Sequence, residues 1–107
     1  MRFKTVPADG PPIRTGGDAI ELIYGTEAEW LAVPVARLDP TFFDLRSGVA
    51  GDLAQKFVNY GQKVAIVGDI SEHVERSDAL RDFVRESNRG AHLWFVTDVE
   101  ELARRLG

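Results

Sequence analysis

Two short stretches of this 107-residue chain hold the side chains able to do acid–base, nucleophilic or anion-binding work. The first carries Asp39, Asp44, Arg46 and Ser47; the second carries Asp69 and His73. Asp69 and His73 stand four residues apart, a carboxylate and an imidazole of the kind general-base catalysis needs within hydrogen-bond reach. Ser47 and Gly48 open an amphipathic segment. The hydroxyl there is a candidate for modification, and the amides of Gly48 and Val49 are candidate anion donors at a helix start. Phe42 and Phe43 come just before, and read either as core or as an exposed lip beside that hydroxyl. The same Asp and Ser residues are also the ones that free backbone N–H groups select at turns and helix starts, so capping explains each of them equally well.

Other chemistries lack their residues. The chain has no Cys, which removes disulfides, thiolate catalysis and cysteine-ligated metal. His73 and His92 are the only two histidines, and neither has a second His at ligand spacing. The Gly48…Gly51 string GVAGDL is without the Lys-Ser/Thr of a phosphate loop, and Gly68-Asp69 is without the later glycines of a dinucleotide fingerprint. A net charge of −4 argues against nucleic acid as a partner, since phosphate contacts need clustered Lys and Arg. No apolar run approaches the ~20 residues of a membrane span, and the start lacks a signal-peptide apolar segment. The expected location is the cytoplasm, with no metal and no cofactor.

The elements that must position these residues follow from periodicity. Arg2 to Val6 alternates polar and apolar and predicts a short strand. The stretch 7–17 is dense in Pro and Gly, and predicts a surface loop that is free to move. Asp18 is the expected cap of a short helix with Ala19, Ile20, Ile23 and Tyr24 on one face, closed by Gly25. Residues 30–38 read as a buried strand; Pro34, which lacks a ladder donor, predicts an edge position or a bulge. Val49, Leu53, Phe57 and Tyr60 recur at helical spacing up to the stop at Gly61. Val64 to Val67 is continuously apolar, as a strand covered on both faces would be. A helix over 78–88, a strand over 92–96 and a last helix capped at Thr97 or Asp98 complete the order. Leu53, Phe57, Ile66, Val67, Phe83 and Leu102 are the expected core.

Strands alternating with helices predict one α/β domain over 1–107. Its sheet is single, open and mostly parallel, with four to five strands flanked by helices on both faces. In such a sheet the functional loops lie at the carboxyl ends of the strands, which is where Asp39, Asp44, Arg46, Ser47, Asp69 and His73 all fall.

The strings FFDLRSGVAGDLAQKFVNYGQKVAIVGDI, LRDFVRESNRG and HLWFV resemble the bacterial family called domain of unknown function 4180. The resemblance covers roughly 39–98, with Asp52 where Glu is usual and a poor match over the first 30 residues. It implies no activity. The order of strand, Asp-x-x-Ser-Gly, helix, Lys-Val-x-x-x-Gly strand, helix, strand and helix is more distantly similar to STAS domains of the anti-sigma factor antagonist type. That resemblance implies a STAS-like fold and a non-enzymatic module that binds a protein partner. Ser47 would be its phosphoacceptor, within a face made by Phe42, Asp44, Arg46, Gly48 and Asp69. Two alternatives stay open: a small-molecule or anion-binding domain at the N-terminus of the 48–60 helix, and a minor enzyme around Asp69 and His73.

Overall fold

The structure, a computed structural model, describes residues 2–107. Four strands form a single sheet: β1 (Phe3–Thr5), β2 (Trp30–Pro34), β3 (Lys63–Val67) and β4 (Leu93–Val96). Their order is β1-β2-β3-β4 and every pairing is parallel, with Leu31 beside Val64 and Val64 beside Leu93. The helices are α1 (Gly16–Ile23), α2 (Val49–Asn59), α3 (Ser71–Arg76), α4 (Asp78–Arg89) and α5 (Val99–Leu106).

Strands that follow one another in sequence order, joined by crossovers of one hand, place every crossover helix on the same face. The packing agrees. Leu31, Val33, Val64, Ile66, Leu93 and Phe95 point to one side, where they meet Ala19 of α1, Leu53 and Phe57 of α2, and Phe83 of α4. The opposite side carries Trp30, Ala32, Ala65 and Val96, and is covered by Leu102 and Leu106 of α5. The sheet is therefore flanked on both faces, by three helices on one and by a single eight-residue helix on the other. On that second face Trp30 and Trp94 lie with ring centroids 4.0 Å apart, and the Arg105 guanidinium sits 3.7 Å above Trp94.

Several local expectations change. Leu53, Phe57, Ile66 and Leu102 are buried, whereas Val67 and Phe83 are only partly so. Tyr60 and Tyr24 fall at helix ends and are exposed, because the apolar stripe ends before they do. Thr15, not Asp18, is the cap of α1. Its hydroxyl oxygen accepts from the Asp18 N–H while the Asp18 carboxylate accepts from the Thr15 N–H, a reciprocal capping box. The strand expected over 30–38 stops at Pro34, and Val35–Arg37 forms a 3₁₀ turn.

Pro34 lies on an interior strand, against the expectation of an edge or bulge. The Trp30 N–H donates to Arg2 and the Ala32 carbonyl accepts from Val6, so alternate backbone groups of β2 face β1. Two residues further on, the Pro34 nitrogen faces the same way, beyond the end of β1, where no donor is needed.

The Pro/Gly stretch is fastened rather than free. Ile13 is 3% exposed and pairs with Leu38 as an isolated parallel bridge. Arg37 is buried, and donates from Nε to the Pro11 carbonyl at 2.9 Å and from Nη1 to the Pro7 carbonyl at 2.8 Å.

Candidate functional site

The chain between β2 and α2 is three short 3₁₀ turns, Val35–Arg37, Pro40–Phe43 and Leu45–Ser47. Side-chain oxygens set the start of the last two. The Asp39 carboxylate accepts from the Thr41 N–H and hydroxyl, and the Asp44 carboxylate accepts from the Arg46 N–H at 3.2 Å. The hydroxyl of Thr41, together with its amide, holds the Asp39 carboxyl below the usual carboxylate range. Gly48 then reverses the chain with φ +81°, in open space, and α2 begins. Glycine is needed there for the backbone angle and not for room.

Ser47 sits at this corner and is exposed. Its hydroxyl donates to the Thr41 carbonyl at 2.7 Å, and its oxygen accepts from the Val49 N–H at 3.2 Å. One hydroxyl therefore ties the preceding turn to the first amide of α2. Asp44 and Arg46 beside it are exposed and loosely paired, 3.7 Å apart, with the Arg46 side chain 95% exposed. Such a pair contributes little to stability and both charges stay available. The turn and the start of α4 enclose a shallow cleft of about 360 Å³, into which Asp44, Arg46, Arg76 and Ser77 all face.

Phe42 and Phe43 separate. Phe42 is fully buried, in edge-on contact with Phe43 and 6.2 Å from Phe95, so it belongs to the core and to no exposed lip. Phe43 is half-buried and lies flat against His73 of α3, with centroids 3.9 Å apart and planes within 7°. This stack joins the Ser47 turn to the β3–α4 connection. Sequence pattern alone misses it, because SEHVER has no apolar period to reveal α3.

Asp69 is exposed at the carboxyl end of β3, and its carboxylate accepts from the Ser71 N–H at 2.9 Å. That bond, with a further one from the Ser71 side chain, lowers its pKa. The pairing with His73 expected from their spacing is absent among the hydrogen bonds of the described residues: the Asp69 carboxylate is turned to the Ser71 N–H, and the imidazole is stacked on Phe43. The two amides expected to hold an anion are also occupied. Gly48 N–H donates to the Leu45 carbonyl and Val49 N–H donates to Ser47. His92 is exposed just before β4. Among the described residues no three His, Asp or Glu side chains gather as a metal ion would require, and no helix is long and apolar enough to cross a membrane.

Residues 1–106 match the model of the family described as "Domain of unknown function (DUF4180)". The match extends beyond the expected 39–98 at both ends, so the N-terminal strand and the Pro/Gly stretch lie within the family's domain. No curated protein and no solved structure matches the chain. The chain belongs to the DUF4180 family.

Proposed function

We propose that this chain is a STAS-like, non-enzymatic regulatory module that docks on a protein partner and is switched by phosphorylation of Ser47. The carrying observation is the state of that hydroxyl: exposed, at a helix start, and bonded on both sides to backbone that a phosphate would disturb. The succession β2, Asp44 to Gly48, α2, β3, α4, β4 and α5 supports the STAS likeness. The docking face is the exposed surface of Asp44, Arg46, Ser47 and Gly48, extended toward Asp69 by the Phe43–His73 stack.

A kinase that transfers the γ-phosphoryl group of a nucleoside triphosphate forms an O–P bond at Ser47 Oγ and breaks the bond from the γ-phosphorus to the β–γ bridging oxygen; the nucleoside diphosphate leaves and the hydroxyl proton passes to the kinase's base. The bond to the Thr41 carbonyl is then lost, since Oγ no longer has a hydrogen to donate. The new charge of about −1.5 to −2 gains from the amide dipoles of α2 and from Arg46, and is opposed by Asp44 and Asp52. These terms nearly cancel in stability. They do not cancel at an interface, where a dianion and a released turn both work against a partner fitted to the neutral hydroxyl.

The test is capture of partners by wild type, Ser47→Ala and Ser47→Asp from extracts of the native cell, read by quantitative mass spectrometry. A specific protein should be retained by wild type and Ser47→Ala and depleted at least tenfold by Ser47→Asp. Equal capture by all three contradicts the switch.

A further inference from the structure

A second concavity lies away from Ser47, at the carboxyl ends of β3 and β4, and measures about 380 Å³. That is the low end of the ~300–1,000 Å³ typical of small-ligand sites, at the place where open parallel sheets bind ligands. Its walls come from four elements. Ile70 lies in the loop after β3, Val74 in α3, Val84 in α4 and Phe95 in β4, and these side chains make the interior apolar. Arg81 and Arg85, one helical turn apart on α4, line it as well. Arg81 reaches from one wall to the other, its Nη2 donating to the Val74 carbonyl at 3.3 Å.

Charge decides the class of occupant. Two cations and one carboxylate, Asp69, line the cavity, and that carboxylate is already turned to the Ser71 N–H. Asp78 and Asp82, which pair with the two arginines at 3.1 and 3.6 Å, are exposed and are not part of the lining. Exposed pairs three residues apart hold their members weakly, so the guanidinium groups can turn to a stronger acceptor. A carboxylate offers Arg a bidentate, charge-assisted partner. An apolar interior with arginines on one wall therefore suits a molecule that is apolar over most of its length and anionic at one end.

We propose that this cavity binds a small apolar carboxylic acid, its hydrocarbon body against Ile70, Val74, Val84 and Phe95 and its carboxylate on Arg81 and Arg85. The site does not depend on Ser47 and stands whether or not that residue is modified.

The experiment is amide chemical-shift mapping during titration of the whole chain with octanoate, with octanol and acetate as the uncharged and the short controls. Octanoate should saturate and shift the amides of Ile70, Val74, Val84, Phe95 and Val96, octanol should bind at least tenfold more weakly, and acetate should not saturate. Arg81→Gln/Arg85→Gln should reduce octanoate to the affinity of octanol. Both positions are exposed on α4, so the fold should survive, as an unchanged spectrum away from α4 will verify. The proposal fails if octanoate and octanol bind alike, if the double variant binds octanoate as wild type does, if the shifts map to another surface, or if nothing saturates.

Discussion

Arg37 shows how a single side chain decides the shape of a stretch that composition reads as loose. Its guanidinium is buried, has no carboxylate partner among the described residues, and donates to the Pro7 and Pro11 carbonyls. It also lies flat against Gly10, where an added Cβ would fall 2.4 Å from the Arg37 Cζ. Gly10→Ala must therefore displace a buried guanidinium and strain its two bonds, at a cost of about 1–3 kcal/mol. Gly17→Ala is the contrast: it meets nothing nearer than 3.6 Å and lies in the first turn of α1, so it should be neutral or gain up to ~1 kcal/mol. Denaturant melts of the two variants check this, and equal effects would contradict the clamp. Nothing in the sequence marks Arg37, because a lone Arg after an apolar run usually points to solvent. The Ser47 hydroxyl is the opposite case: the string Ser-Gly before an amphipathic run places it at a helix start, and there it is.

At the scale of elements, caps and cores carry separate signatures. The Asp18 carboxylate accepts from the Arg14 and Thr15 N–H groups, and these bonds, the Arg14 one foremost, lower its pKa. A folded pKa below the unfolded one gives stability that is present above the ordinary carboxylate value, near pH 4, and is lost as pH falls through the lower folded value. Asp39 and Asp69 act with the same sign through Thr41 and Ser71. Asp18→Asn should flatten the fall in stability below about pH 4, measured by melts across that range; an unchanged slope would deny the capping box its role. The core helix is tested by Leu53→Ala, which removes a side chain 1% exposed and should cost about 2–5 kcal/mol; under ~1 kcal/mol would mean that α2 buries another face. The elements with long apolar periods, α2, β3, β4 and α5, are legible in the sequence. α3 is not, since six mostly polar residues show no period; the Ser71 N–H bond to Asp69 and the Phe43–His73 stack tie them to the rest. The early end of β2 is also hidden: Val35, Ala36 and Leu38 continue the apolar run past Pro34 while the backbone turns, and Arg37 among them is buried too, so burial does not separate the turn from the strand.

The whole molecule is an asymmetric three-layer arrangement that leaves its functional loops on one edge. Sequence-order strands send α1, α2 and α4 to one face, and α5 alone closes the other over Trp30 and Trp94. Alternation of strands and helices is enough to predict a parallel sheet. It cannot predict that asymmetry, which depends on strand order, nor that Asn88 covers the free edge by accepting from the Phe95 N–H at 2.7 Å. The loops after β2, β3 and β4 thus share the carboxyl-end edge, with the Ser47 turn on one part of it and the apolar cavity under α3 and α4 on another. A fold of this kind does not fix a function. The proposed switch requires that the exposed hydroxyl at the start of α2 be used as a phosphoacceptor. Phosphopeptide mapping of the protein isolated from its own cells, in exponential growth and in stationary phase, tests that most directly. A phosphate is expected on Ser47 in at least one phase and on no other residue of the 39–60 segment. A segment recovered unmodified in both phases, or modified only at Thr41, would contradict it.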